Sequence, residues 1–151
     1  MFQQRFAPAA LGLALLAATP VAIAQDYANF RLSPGFTPDP TIGTGNTGGP
    51  RLASEATGTR TTETGECSGY IDTLPDHQLD LTADFEYLSI AAITEGEASL
   101  VIFGPNAETW CFTGENPSIS GFYDQGTYDV YVGNMSRDIG PRYELVITEL
   151  Q

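Results

Sequence analysis

The only histidine of the chain, His77, follows Pro75 and Asp76 and is the one imidazole that could act as a catalytic base. Nucleophilic catalysis needs such a base beside a nucleophile, with a third group that orients the base. Adjacent residues of a strand point to opposite faces, so Asp76 is badly placed to orient His77. The chain also has no Gly-x-Ser-x-Gly motif and no lysine. We therefore expect His77 to be a structural or surface residue, and we expect no catalytic residue.

Acidic side chains are the second group that could do chemistry. Four aspartates recur at every fourth position from Asp72 to Asp84, a spacing that would place them on one face of a helix. Pro75 and the apolar-polar alternation around Leu79 favour a strand with flanking loops instead. A glycosidase needs two carboxyl groups held a set distance apart in a cleft, and the spacing by itself predicts no such pair.

Calcium binding is a more plausible chemistry for these acids than glycoside hydrolysis. Calcium takes about six to eight oxygen ligands from carboxylates and loop carbonyls. The candidate ligands in or near predicted loops are Asp72, Asp76, Glu115 and Asp124. No Asp-x-Asp-x-Asp-Gly loop is present. We expect the acids to serve mainly in solubility and expect no cofactor, and calcium bound by these four acids is the alternative.

Aromatic residues near these acids could form a ligand face. Trp110, Tyr123 and Tyr131 lie on or beside predicted strands, and Tyr131 shares its strand face with Asp129, which predicts partial exposure of the tyrosine. Flat rings beside acids and amides suit carbohydrate stacking or a protein partner. The alternative is that Trp110 and Phe122 are core residues of one sheet face.

The elements that would position these residues are eight short strands that begin at Cys67. Their apolar residues alternate with polar ones or form short apolar runs, and glycine or proline separates several of them. The predicted strands span residues 67–71, 77–81, 87–93, 99–103, 109–113, 118–122, 126–133 and 142–150. The alternation places Leu79, Leu81, Tyr128, Val130 and Val132 inward. Such strands are typical of an all-β, antiparallel β-sandwich, and we predict no amphipathic helix.

Residues 25–66 differ from this pattern and are predicted as an extended arm. About half of the residues between 26 and 66 are glycine, threonine or proline, without a helical or strand period. Four apolar residues would be unfavourable on a free arm, so we expect partial docking onto the sandwich of residues 67–151. These four are Tyr27, Phe30, Leu32 and Phe36. The segment 43–49 is predicted as a glycine loop, and it lacks the Gly-Lys-Ser/Thr of a phosphate-binding loop.

Residues 1–24 have the features of a secretory signal peptide. Arg5 is the only charged residue among them, and an apolar run from Ala9 to Ala18 precedes the small-x-small sequence Ala22-Ile23-Ala24. The run is shorter than the roughly 20 residues that a membrane-spanning helix needs. We therefore expect cleavage after residue 24, no membrane span thereafter, and a secreted or periplasmic protein. An uncleaved membrane anchor is the alternative.

The chain has a strongly negative net charge, and it contains no lysine. Nineteen aspartates and glutamates oppose six arginines, which gives a net charge of −13. Such a surface repels the phosphates of nucleic acids, so we expect no nucleic-acid partner.

Cys67 and Cys111 are the only cysteines of the chain. An even number of cysteines in an exported chain predicts a disulfide, and two free thiols or half of a metal site are the alternatives. A bridge would close a loop of about 45 residues and stabilise the fold by ~4 kcal/mol on the chain-entropy model. It would join two strands that are distant in sequence, and it could join the two sheets.

Several short motifs of the chain are similar to those of one group of exported bacterial proteins. They are Leu32–Pro40, Cys67–Ile71, Pro75–His77, Leu100–Pro105, Trp110–Cys111, Asn116–Ile119 and Gly126–Gly133. Over about residues 27–150, the chain resembles the bacterial pre-peptidase C-terminal domain. The resemblance implies a jelly-roll-like sandwich with a role in secretion, substrate binding or stabilisation. Some members bind calcium and carry acids after the cysteine that corresponds to Cys111, where this chain keeps only Glu115.

These observations together predict a secreted, monomeric, non-catalytic binding or accessory module. Its expected partner is an extracellular polysaccharide, a matrix protein or another partner protein. The alternative is a structural or solubility protein whose fold calcium stabilises, and a hydrolase is the least favoured function.

Overall fold

The computed structural model describes residues 28–151. The predicted signal peptide, residues 1–24, and the first part of the predicted arm, residues 25–27 with Tyr27, lie outside the described residues. Within the described part of the chain, no helix combines the length and the apolar character that a membrane crossing requires.

Short strands dominate the described residues. In the segment predicted as an arm they are β1 Phe30–Leu32, β2 Thr41–Asn46, β3 Arg51–Leu52, β4 Thr61–Thr62 and β5 Gly65–Glu66, with helix α1 Ala53–Thr57 after β3. They continue as β6 Tyr70–Ile71, β7 His77–Leu81, β8 Phe85–Thr94, β9 Glu97–Phe103, β10 Thr109–Glu115, β11 Ser118–Tyr123, β12 Gly126–Asn134 and β13 Arg142–Thr148. Each of the eight predicted strands therefore has a counterpart, with ends shifted by a few residues.

All strands except β4 and β5 form two sheets that pack face to face. Sheet A has the order β1-β7-β12-β9-β10, and β6 and β3 continue it beside the C-terminal end of β12. Sheet B has the order β11-β8-β13-β2. Strand β1 runs parallel to β7, while the other pairs of these strands are antiparallel, including the small β4-β5 hairpin. This arrangement confirms the predicted all-β sandwich.

The inward residues of both sheets form the main core. Sheet A contributes the residues that the alternation placed inward, which are Leu79, Leu81, Tyr128, Val130 and Val132. Sheet B contributes alternate residues of β8 and β13, among them Leu88, Ile90, Ala92, Tyr143, Leu145 and Ile147. Full burial of one large aliphatic side chain contributes about 1.5–3 kcal/mol, so this cluster is the main source of stability.

The first part of the segment 43–49, predicted as a glycine loop, instead belongs to β2, an edge strand of sheet B that pairs with β13. Gly43 and Gly45 are buried. A Cβ atom on Gly43 would lie 2.8 Å from Cε1 of His77, and one on Gly45 would lie 2.5 Å from the Oη of Tyr143. Two buried rings thus occupy the space that larger side chains would need, which explains glycine in the middle of a strand.

Replacing Gly45 by alanine is expected to lower the free energy of unfolding by about 1–3 kcal/mol, because the new Cβ would overlap the buried Tyr143 ring. Gly114→Ala is the matched control. Its Cβ would meet only Cε1 of Phe112 at 3.2 Å, and this ring is exposed and can shift. Urea unfolding of both variants measures the difference, and equal losses would contradict the packing role of Gly45.

The predicted division into an arm of residues 25–66 and a sandwich of residues 67–151 differs from the structure. Strand β1 extends sheet A, and β2 extends sheet B. Residues 51–71 add β3 and β6 to sheet A, and the segment between these two strands lies on the outer face of the sheet. A second buried cluster forms there between Ala53, Cys67 and Ile71 of residues 51–71 and Val101, Cys111 and Tyr131 of β9, β10 and β12. Strands of two residues are too short to show an alternation, so composition alone suggested an arm.

The disulfide Cys67–Cys111 is confirmed, with a sequence separation of 44 residues. It joins the end of the β4-β5 hairpin to β10, so it ties the outer layer to sheet A and does not join the two sheets. Thr62 and Thr64 also connect the hairpin to β10 through hydrogen bonds to the backbone of Cys111. Thr64 Oγ1 donates to the carbonyl of Cys111 at 2.8 Å, and the Cys111 amide donates to the hydroxyls of Thr62 and Thr64 at 3.1 Å.

Candidate functional site

The three aromatic residues that were predicted as a ligand face do not share one surface. Trp110 and Tyr123 face the interior between the sheets, and their ring centroids lie 5.9 Å apart. Tyr131 lies on the opposite face of sheet A, where its ring meets Phe103 edge-on at 5.7 Å. Tyr123 is only 3% exposed and Tyr131 only 7%. The exposure predicted for Tyr131 fails because residues 51–71 cover its face of the sheet.

Trp110 is the most accessible of the three, and its contacts are those of a packing residue. The indole stacks on the ring of Tyr128 at 6.1 Å with an interplanar angle of 27°. Burial and the nearby carboxylates of Glu108 and Asp124 raise the pKa of Tyr128 to about 12, so its hydroxyl stays protonated and donates to the carbonyl of Asp124 at 2.8 Å. Through its contact with Tyr123, Trp110 also joins the edge strands β10 and β11 of the two sheets.

The four acids that were predicted as calcium ligands lie on three different parts of the fold. Asp72 and Asp76 belong to the loop between β6 and β7, Glu115 ends β10 opposite Glu97, and Asp124 lies between β11 and β12. Among residues 28–151, no three histidine, cysteine, aspartate or glutamate side chains are grouped so that they could hold a metal ion. The predicted ligand set therefore does not form one calcium site.

Asp76 has a different role, because it is buried with an exposed fraction of only 3%. Its Oδ2 accepts a hydrogen bond from the amide of Val132 at 2.7 Å, and its own amide donates to the carbonyl of Val130 at 3.0 Å. Burial raises the pKa of Asp76 to about 7, although the Val132 hydrogen bond opposes the rise and the charge of Asp72 adds to it. The residue fixes the 72–76 loop, which lines an open cavity of about 270 Å³, onto β12.

His77 is fully buried, and both of its ring nitrogens are engaged. Nδ1 lies 2.9 Å from the carbonyl of Ala28, which can only accept, so Nδ1 carries the hydrogen and Nε2 accepts from the hydroxyl of Tyr143 at 2.9 Å. Burial lowers the pKa of His77. The carboxylate of Asp76 bonds to Val132 rather than to the imidazole. The ring therefore ties the N-terminal segment to sheet B and is not arranged as a catalytic base.

The outward side of sheet B, which we name the open face, is the candidate functional surface. Its residues alternate with the buried Ile90, Leu145 and Ile119 of β8, β13 and β11. No segment within residues 28–151 covers it as residues 51–71 cover sheet A. Its large apolar residues are exposed to 45% at Ile42, 44% at Ile93 and 53% at Phe122.

Several of the other side chains on the open face carry hydroxyl groups. Hydroxyl side chains are supplied by Ser89, Ser118, Ser120, Thr148 and Thr44. The charged residues at its alternating positions are Glu144 and Arg142, both on β13, and Arg142 donates to the hydroxyl of Thr44 at 3.2 Å. In a chain with a net charge of −13, this sheet face is nearly free of charge and can pack against a neutral partner without desolvating many ions.

The sequence indicates which side chains of some strands face outward, and this is part of what defines the open face. In β11, Ile119, Ser120 and Gly121 follow a period of two, but the pair Phe122 and Tyr123 leaves open which ring faces inward. The structure buries Tyr123 and exposes Phe122. The alternative prediction that Phe122 is a core residue is therefore wrong. Ile42 is not predicted as a surface residue of a sheet, because its segment is predicted as an arm.

Comparison with known proteins gives no assignment for this arrangement. No family model, no curated protein and no solved structure matches the chain.

Proposed function

We propose that the chain is a non-catalytic binding module that acts outside the cytoplasm and binds its partner through the open face. The observation that carries this proposal is the exposure of Ile42, Ile93 and Phe122 on one uncovered sheet face. Ile42 adjoins Val146 and Ala91 in one row across three strands, and contiguous apolar surface that a chain leaves in water marks an interaction site more often than isolated exposed residues do. A sheet face normally hides such residues under a second layer, as residues 51–71 do for sheet A.

The location outside the cytoplasm is supported by two features of the chain. The sequence of residues 1–24 has the pattern of a secretory signal peptide, and disulfides such as Cys67–Cys111 persist in oxidising compartments. We retain a secreted or periplasmic protein as the proposal. The resemblance to the pre-peptidase C-terminal domain, with its accessory rather than catalytic role, remains a prediction.

A non-catalytic role is supported by the placement of the residues that could do chemistry. The imidazole of His77 is enclosed between Ala28 and Tyr143, and the carboxylate of Asp76 is bound to a backbone amide. A calcium-stabilised structural protein, the alternative from the sequence, loses its main support because its four ligands lie apart. We therefore favour binding over a purely structural role.

Replacing Ile42, Ile93 and Phe122 together by serine is expected to weaken partner binding at least about tenfold, because each exposed side chain contributes apolar contact area. The measurement is retention on a panel of immobilised neutral polysaccharides, acidic polysaccharides and gelatin. Leu74→Ser with Phe112→Ser is the matched control, since both residues are exposed and lie outside the open face. Melting temperatures should stay close to that of the parent protein. Equal retention of both variants would favour the structural role.

A further inference from the structure

We propose that the open face binds a neutral polysaccharide, an inference that depends on the proposed binding function and names the class of partner. It rests on three properties of that face: the order of its hydroxyl and apolar side chains, the hydrogen-bonding needs of those hydroxyls, and the distribution of charge.

Hydroxyl and apolar side chains form two adjacent rows across the strands. In the first row, Ser120 of β11 lies opposite Ser89 of β8, which lies opposite Thr148 of β13. In the second row, Ala91 of β8, Val146 of β13 and Ile42 of β2 lie side by side, and Ser118 of β11 ends the row. The rows are two residues apart along each strand, which is about 7 Å. The face therefore offers a polar strip beside an apolar strip.

The hydroxyl row determines which partner fits. Each hydroxyl is both a donor and an acceptor. The side-chain hydroxyl of Ser120 makes no hydrogen bond within residues 28–151, the hydroxyl of Ser89 lies 3.3 Å from that of Ser118, and the hydroxyl of Thr148 accepts from the amide of Leu150. An apolar protein surface placed over this row would leave buried hydroxyls without partners, which opposes binding. A sugar chain presents hydroxyls along its edges and C–H groups on its ring faces, so it can satisfy both rows at once.

The charges of the chain select a neutral polymer. The net charge of −13 repels acidic polysaccharides, and the alternating positions of the open face add only the opposite charges of Glu144 and Arg142. Phe122, two residues after Ser120 on β11 and 53% exposed, provides a ring on which a sugar face can stack. A neutral glycan therefore meets hydroxyls, an apolar strip and one aromatic ring on this sheet.

The test is affinity electrophoresis of the folded protein in native gels that contain a neutral β-glucan, a neutral galactomannan or acidic alginate. The hydroxyl-row variant is Ser89→Ala with Ser120→Ala and Thr148→Val. Its control removes three exposed hydroxyls elsewhere, with Thr73→Val, Thr127→Val and Ser136→Ala. We expect a neutral polysaccharide to retard the parent and the control, and the hydroxyl-row variant to lose roughly tenfold or more in apparent affinity.

Three results would overturn this inference. They are retardation by alginate as strong as that by the neutral polymers, full retardation of the hydroxyl-row variant, and retention on gelatin alone that the Ile42, Ile93 and Phe122 variant abolishes. The last result would leave the proposed binding function intact with a protein as partner. If no probe separates either open-face variant from its control, the proposed function and the inference fail together.

Discussion

Asparagine in place of Asp76 is expected to make the protein more stable at neutral and alkaline pH by on the order of 4 kcal/mol, and to leave its stability near pH 4 almost unchanged. Folding raises the pKa of this carboxyl from 3.8 to about 7, mainly because the group is buried. A change of one unit in pKa corresponds to about 1.4 kcal/mol. The folded protein is therefore less stable, by on the order of 4 kcal/mol, when Asp76 is ionised than when it is protonated.

The direction of the effect follows from where the proton is bound. Below pH 3.8 the carboxyl is protonated in both the folded and the unfolded chain, and its full contribution to stability is present. Between that pH and about 7 the unfolded chain has lost the proton while the folded chain keeps it, so stability falls as the pH rises. The substituted asparagine would carry no charge at any pH, and its side-chain oxygen can still accept from the amide of Val132.

Urea unfolding of the parent protein and Asp76→Asn at pH values from 4 to 8 measures this difference. Asp138→Asn is the matched control, because Asp138 is exposed and loses the same charge. The difference between parent and Asp76→Asn should grow with pH, and the difference for the control should stay small. Parallel curves for parent and Asp76→Asn would contradict the raised pKa of the buried Asp76 carboxyl.

Removing the disulfide with Cys67→Ala and Cys111→Ala is expected to lower the free energy of unfolding by about 4 kcal/mol. The bridge spans 44 residues, and cross-linking a loop of this length restricts the unfolded chain by about that amount. Alanine suits both positions, because each cysteine is buried in the apolar cluster beside sheet A and a serine hydroxyl would lack a partner there.

Equilibrium unfolding of the double variant and of the chemically reduced parent measures this loss, and the two should agree. Amide hydrogen exchange adds local information. The β4-β5 hairpin, Thr61–Glu66, should exchange faster in the double variant, while Ile90 and Leu145 in sheet B should keep protection in proportion to global stability. A loss below about 1 kcal/mol would mean that the outer layer holds the hairpin without the bridge.

The strands from residue 70 onward could be predicted from the sequence because each shows its own local pattern. Leu79 and Leu81 alternate with Asp80, and Tyr128, Val130 and Val132 do the same in β12, and all of these apolar residues are in the core. The disulfide followed from counting two cysteines. The alternation involves residues that are close together in the sequence, so it can be read from a single sequence.

The remaining features depend on contacts between distant residues. Gly43 and Gly45 look like loop residues until the rings of His77 and Tyr143 are placed against them. Tyr131 looks half exposed until residues 51–71 cover it. The open face was missed for the same reason, since it is defined by which sheet remains uncovered, and no local pattern of Ile42, Ile93 or Phe122 contains that information.

The threonines beside β10 occupy backbone groups at an outer edge of sheet A. The outer edge of a sheet offers unpaired amides and carbonyls to any strand from another molecule. Here the amide and carbonyl of Cys111 are already bonded to the hydroxyls of Thr62 and Thr64, and the disulfide holds the hairpin that carries them. We expect this protection to be weaker before the bridge forms, so that protein made under reducing conditions self-associates through β10 and oxidised protein does not.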